Sequence, residues 1–470
     1  MSSQPTNYFL SGNFAPMREE HTAENLEVIG EIPADLKGSF LRIGPNPYYV
    51  PDETLYHMFD GDGMIHQVQF DGGQATYRNR FVDTDGLRAE REKGTWIWKG
   101  YRSMADVMMS GEIPPEGPSK NSANTAMVYH NNTLYALVEG AVPHIIDLPG
   151  LGTVGETNFD DQLNHAFTAH PKVDVKTGEM MTYGYAPFPP YVTYSVVDKE
   201  GKFIHNTTID IPKPVLMHDC AITEHYTLFL DLPMTFDIQR AMGGGDVMEW
   251  EPDHGARIGV VPRHGGSDGA RWFDIDVGMV YHVANAWEEG DEVVLQACRS
   301  ERTDVMGIGS ADWDGVGDTD LLGLFHEWRL NMKTGAVSER CLDKTGAHFC
   351  DFTRINDNYM GYKTRYAYAA AYCVGRTNLF HELLKYDDET GDIEVHDIGD
   401  GTFGGEAIFA PKAGATAEDE GYVICFSYCE TDDTCECRII DAQNFTGEPL
   451  ARIKIPHRVP FGFHAGWVGG

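Results

Sequence analysis

Short apolar runs rich in β-branched and aromatic residues recur along the whole chain, at 75–77, 133–138, 192–197, 227–230, 292–295 and 421–426. Runs of that length and makeup read as β-strands. Polar turns separate them, and one turn type repeats: Lys176-Thr-Gly178, Lys333-Thr-Gly335, Glu389-Thr-Gly391 and Phe445-Thr-Gly447. In each, glycine is expected to supply the positive φ that a tight hairpin needs. Many short strands joined by hairpins predict an all-β sandwich, barrel or propeller. At this length a propeller closes its sheet edges most economically, although no clean blade-length repeat stands out.

Helical signals are few. Short helices are predicted at 22–26 and 379–384. A segment from Trp96 to Met109 carries aromatics and methionines without strand alternation and breaks into the proline-rich loop 111–118. It reads as an apolar helical piece that packs in the core, covers a site as a lid, or dips into a membrane. No linker divides the chain, so residues 1–470 are expected to form one domain.

Composition narrows the class. Of 470 residues 42% are hydrophobic, enough for a large core, and Gly 51 with Pro 24 fits many turns rather than disorder. The formal net charge of -36 excludes nucleic acid as a partner and describes a strongly solvated surface. Nine cysteines are an odd number without disulfide spacing, and Cys435-Glu-Cys437 is too tight for a zinc knuckle, so they read as reduced thiols. The start Met1-Ser-Ser-Gln-Pro-Thr has no basic or apolar signal region, and no run of about 18 apolar residues occurs. A cytoplasmic location is the expectation. Oligomeric state leaves no mark in the sequence.

Among 19 histidines, context separates four. His170 stands in Thr168-Ala-His170-Pro171 at a strand start. His218 follows Pro212-Lys-Pro214 and precedes a strand-like run. His282 follows the strand-like stretch 277–281. His464 lies in Phe461-Gly-Phe-His-Ala-Gly-Trp467, between glycines that allow close backbone approach. Such wide separations exclude a local finger or ribbon and suit one ligand from each of several blades meeting on an axis. Four neutral imidazoles suit iron, copper, zinc or nickel and leave the full charge on the metal. No catalytic triad or paired-carboxylate signature accompanies them.

These histidine contexts occur together with other motifs: residues 30–38, Arg42-Ile-Gly-Pro-Asn-Pro47, Phe59-Asp-Gly-Asp-Gly-Met64, Met217-His-Asp219, residues 282–289 and Gly405-Glu-Ala-Ile-Phe409. In that order they resemble the carotenoid cleavage oxygenase family, which includes apocarotenoid oxygenases and lignostilbene dioxygenases, over essentially the whole chain. The resemblance implies a seven-bladed β-propeller with a loop-and-helix cap over the active-site face. It implies Fe2+ held by His170, His218, His282 and His464. Glu139 and Glu406 match carboxylates that accept a hydrogen bond from the far nitrogen of a ligand histidine. Where the family has a glutamate before Phe-Pro-Arg, this chain has Asp351-Phe-Thr-Arg354. One methylene shorter, Asp351 requires an inward backbone shift, a bridging water or a weaker contact. Thr125 matches a threonine beside the vacant metal position.

The implied activity is a non-heme iron(II) dioxygenase that cleaves a C=C bond of a small hydrophobic conjugated substrate with O2 into two carbonyl products. Tyr101 matches a tyrosine that binds a phenolic 4-hydroxyl in the lignostilbene branch. The lysine that accompanies it there is replaced by Val138, which suits an apolar carotenoid or apocarotenoid. Cleavage of a stilbene or phenylpropene is the alternative, and a non-catalytic polyene-binding propeller is the alternative outside catalysis. Phe59 and the Trp96–Met109 segment are expected to line the pocket. Peripheral contact with a membrane is compatible with such a substrate.

Overall fold

The computed structural model describes residues 7–470 except 51, 104–106, 108, 109, 112, 118, 311, 312 and 314. Its strands form seven antiparallel sheets arranged as the blades of a propeller. From the second blade to the sixth, each sheet has four strands taken in chain order: Ala126–His130 to Gly152–Glu156, Lys172–Val173 to Phe203–Ile209, Cys220–Ile222 to Arg271–Ile275, Met279–Glu289 to Val337–Cys341, and Cys350–Arg354 to Ile393–Asp397. A separate ribbon pairs Met234–Phe236 with Met248–Trp250.

The other two blades mix the ends of the chain. The last strand, Ala465–Gly469, pairs with Gly38–Pro45 and so joins the sheet of Gly63–Asp71 and Gln74–Phe81. The early strand Val28–Gly30 crosses to the seventh blade and pairs with Ala451–Ile455. Termini usually fray. Here segments toward both ends supply ladder strands, and their pairing shuts the ring.

The six runs read as strands all fall on strands, for example Val192–Val197 and Tyr226–Asp231, with only Val138 past the end of Thr133–Leu137. Gly178, Gly335 and Gly391 have φ of 75°, 82° and 74°, as hairpin turns require. Gly447 does not have positive φ. It follows a 3-10 turn, Ala442–Asn444, where any Cβ would run into the Asn444 side chain.

Neither expected helix forms, and each stretch contributes to a strand instead. Thr22–Ala23 pairs with Arg78 and Tyr77. Residues 379–384 fall largely in Phe380–Asp387, a central strand between Tyr366–Tyr372 and Ile393–Asp397. Local propensity there is overridden by two ladders of hydrogen bonds. A helix that went unread, Asp85–Lys93, carries ordinary end signals: Thr84 Oγ1 accepts from Leu87 N–H, and Gly94 ends it at φ 75°. It lies in the connection from the first blade to the second. Described residues of that connection, of the ribbon and of the stretch 303–322 line one cavity.

Candidate metal centre and cavity

His170, His218 and His464 each stand at a strand entrance, just before Lys172–Val173, Cys220–Ile222 and Ala465–Gly469. His282 lies inside Met279–Glu289, where the register with the next strand slips between Val280 and Val283. A bulge of this kind re-aims a side chain. Four blades thus each deliver one imidazole to the axis. One ring nitrogen from each lies within 4.8 Å of the others.

The rings are oriented from behind. Glu139, at the turn after Thr133–Leu137, holds His218 Nδ1 through Oε1, and its Oε2 accepts the Tyr185 hydroxyl. His282 Nδ1 lies 3.0 Å from Asp351 Oδ1. His464 Nδ1 lies 3.2 Å from Glu406 Oε1, while Glu406 Oε2 accepts Ala465 N–H. Asp351 therefore reaches its histidine directly, without a bridging water. The backbone next to it is irregular: the ladder slips between Asp351 and Arg354, and Phe352 takes the left-handed φ of 53° that side chains rarely adopt.

With Nδ1–H committed to a carboxylate, His218 and His282 turn bare Nε2 lone pairs toward each other at 3.2 Å, and His170 Nε2 lies 3.0 Å from His218 Nε2. Two acceptors have no proton to share at that distance. A cation between them removes the conflict, and adjacent nitrogens around one ion with metal–nitrogen bonds of about 2.1 Å stand roughly 3 Å apart. The residues present fit a metal ion. Burial, with the neighbouring histidines, holds His170 far below the usual imidazole range. Burial also lowers His464, to about 4, against the pull of Glu406. For His282, burial lowers and the Asp351 carboxylate more than offsets it.

Asp219, next to His218, ties three ligand-bearing segments together. Its Oδ2 accepts Val283 N–H at 2.8 Å, and its Oδ1 accepts Cys220 N–H and pairs with Lys172 Nζ, both at 2.7 Å. Phe352 stacks on His282 at 4.8 Å and meets His464 edge-on at 5.1 Å. Neither role was read from the sequence, nor was that of Tyr185. Only Asp219 left a local signal, by following a ligand histidine.

Over the cage opens a cavity of about 900 Å³, at the upper end of ligand-site volumes. Thr125, Tyr101, Phe59 and Val138 all line it, as do Trp96 and Trp98. The 104–109 part of the expected lid falls mostly outside the described residues. Thr125 donates its hydroxyl to Asn124 Oδ1 at 2.9 Å, and Asn124 Nδ2 donates to the carbonyls of Phe59 and Gly61 at 2.9 and 2.7 Å. Tyr101 Oη reaches Met248 Sδ at 3.6 Å, and burial beside Tyr281, Glu139 and Asp60 pushes its phenol up. Among the described residues no helix is long and apolar enough to cross a membrane.

Comparison with known proteins agrees with this architecture. The family model described as retinal pigment epithelial membrane protein matches residues 14–469. Carotenoid 9,10(9',10')-cleavage dioxygenase 1 of Arabidopsis thaliana is 40% identical, over 98% of this chain and 90% of its own. Pseudomonas brassicacearum lignostilbene dioxygenase superposes with a TM-score of 0.89 at 29% identity, covering 100% of both chains. A cobalt-substituted Synechocystis apocarotenoid oxygenase does so with a TM-score of 0.84 at 26% identity, covering 97% of each. Matched by the family model and by these relatives along nearly its full length, the chain belongs to the carotenoid cleavage oxygenase family.

Proposed function

We propose that this protein is an iron(II)-dependent dioxygenase that splits one C=C bond of a carotenoid or apocarotenoid with O2, giving two carbonyl products. The observation that carries the reading is a four-imidazole cage, three of its rings pinned by carboxylates, opening into a large apolar-walled cavity. Bound there by His170, His218, His282 and His464, ferrous iron supplies the redox partner through which ground-state O2 can react with an alkene.

The chain's own residues do the rest. Glu139, Asp351 and Glu406 keep the Nδ1 protons of His218, His282 and His464, so the Nε2 of each is free to ligate. Thr125, its hydroxyl turned to Asn124, presents no free donor at the cavity floor and narrows the space beside the cage. Phe59, Tyr101 and Val138 give the reacting bond an apolar wall and exclude water. No proton donor or acceptor is needed for this bond cleavage.

Val138 and the acidic surroundings of Tyr101 favour a polyene over a phenol. A phenolate placed beside Tyr101 would face Glu139 and Asp60 with no cation at position 138 to stabilise it. The second reading, cleavage of a hydroxystilbene, is favoured by the likeness to lignostilbene dioxygenase and by Tyr101 in the cavity wall. The test is O2 uptake by iron-loaded, reduced protein with a full-length carotenoid, an apocarotenal, resveratrol and isoeugenol, with products identified by mass. Two carbonyl fragments from a polyene are expected, and the 9,10 bond named for the Arabidopsis relative is the first to inspect. Turnover of phenols alone would replace the polyene reading by the second one. Iron bound without O2 uptake on any substrate would leave only a non-catalytic binder.

A further inference from the structure

The cavity wall contains one buried ion cluster for which bond cleavage has no use. Lys120 lines the wall on the connection between the first and second blades, with its side chain 11% exposed. Its Nζ lies 2.5 Å from Asp62 Oδ1 and 2.6 Å from Glu90 Oε2. The other oxygen of each carboxylate is already engaged: Tyr48 N–H donates to Asp62 Oδ2, and Ile97 N–H to Glu90 Oε1, both at 3.0 Å. An ammonium carries three hydrogens. Among the described residues, these two carboxylates are its ion-pair partners, which leaves one donor over. Around the cluster the wall is apolar, formed by Tyr49, Trp96, Ile97, Trp98, Ile113 and Pro114.

We propose that Lys120 and Glu90 seat a neutral oxygen, a hydroxyl or a carbonyl, on the terminal ring of the polyene, so that the preferred substrate is an oxygenated carotenoid rather than a hydrocarbon one. This rests on the polyene reading above. A ring hydroxyl can accept from the spare Lys120 N–H and donate to a second lone pair of Glu90. A hydrocarbon ring in the same place leaves the ammonium donor dry, which a buried polar group tolerates poorly. One ammonium and two carboxylates sum to a single negative charge, so an end group carrying its own carboxylate is repelled. There is also room for the rest of the molecule. From Lys120 the lining continues past Thr125 and His218 to Trp313, Val316 and Arg376, which belong to the fifth and sixth blades across the axis. The ring can therefore sit at the cluster while an interior double bond lies over the histidines.

The test is a binding titration on iron-loaded protein without O2, so that no turnover intervenes. Zeaxanthin, hydroxylated on its rings, and β-carotene, its hydrocarbon counterpart, are delivered in the same micelles. Trp96, Trp98 and Trp313 line the cavity, and a bound polyene quenches their fluorescence. Zeaxanthin is expected to bind about 10- to 100-fold more tightly, the factor that corresponds to one hydrogen bond to a charged group. A Lys120→Met/Glu90→Leu double variant, which removes one charge of each sign together with the donor and the acceptor, is expected to bring the two ligands within about threefold. Equal affinities in the unaltered protein overturn the proposal and leave the polyene reading standing. A preference that survives in the double variant overturns the assignment to this cluster. Absence of quenching by both ligands removes the polyene reading and the subsite together.

Discussion

Where the four histidines meet, side chains are held more than once. His282 is fixed by Asp351 behind it and Phe352 on its face, His464 by Glu406 and the edge of the same Phe352. The wall above is held differently. Tyr101 makes an edge contact to Phe59 at 5.7 Å, and among the described residues its hydroxyl reaches only a thioether sulfur. Its position comes from backbone anchors: Asp60 accepts Tyr101 N–H at 2.6 Å, and Asn124 grips the Phe59 carbonyl. The floor is built at strand entrances and a bulge, the wall on connections between blades. Rigid strand ends fix the chemistry, and loops choose the substrate.

That contrast can be broken first at the floor. Glu406→Gln removes the charge that orients His464, and metal retention is expected to fall about 10- to 100-fold, read by competition with a chelator. Unchanged retention would mean that the strand entrances alone aim the rings. The next effect should come from Asp351→Glu. In a loosely built site the longer side chain would tighten the contact. Here Asp351 already lies 3.0 Å from His282 with Phe352 stacked alongside, so the added methylene is expected to cost about 1–3 kcal/mol of stability on unfolding by denaturant. Stabilisation, or tighter metal binding, would show that the floor is not close-packed.

The wall gives the third and smallest effect, through pH. Burial raises the Asp60 carboxyl to about 6, against the hydrogen bonds from His57 and Tyr101 N–H and the charges of Arg102 and Lys120. An ordinary aspartate in the unfolded chain titrates near 4. Between those values the folded protein keeps a proton that the unfolded chain releases. Stability from this group is therefore present at low pH and lost as pH rises from about 4 through about 6. Asp60→Asn should abolish that decline in paired denaturation curves: because the amide can accept only one of the N–H groups that Asp60 accepts from His57 and Tyr101, the variant is expected to be the less stable protein at low pH, with the gap narrowing as pH rises through about 6. Parallel curves for the two proteins across this window would place the Asp60 carboxylate in a wetter wall than its surroundings imply.

Much of this molecule is written locally. Strand runs and three of four glycine turns follow from side-chain shape and backbone freedom over a few residues, which is why 192–197 and Gly178 could be read directly. The ligand histidines were legible because glycine, proline and aspartate around them mark places where the backbone comes close or bends, and the family resemblance joined them into one set. Asp85–Lys93 was equally local, with its Thr84 and Gly94 caps, and went unread beneath the strand pattern.

Other features exist only once the ring has closed. Residues 379–384 carry a helix-like pattern and become a strand because a ladder waits on each side. That Asp351 lies 3.0 Å from His282, beside a left-handed Phe352, is stated by no motif. Asp219 reaches Lys172 and Val283, and Lys120 reaches Asp62 and Glu90, across segments that only the closed propeller brings together. Periodicity acts over a few residues, whereas a contact of 3 Å between distant segments is set by how seven blades pack around one axis.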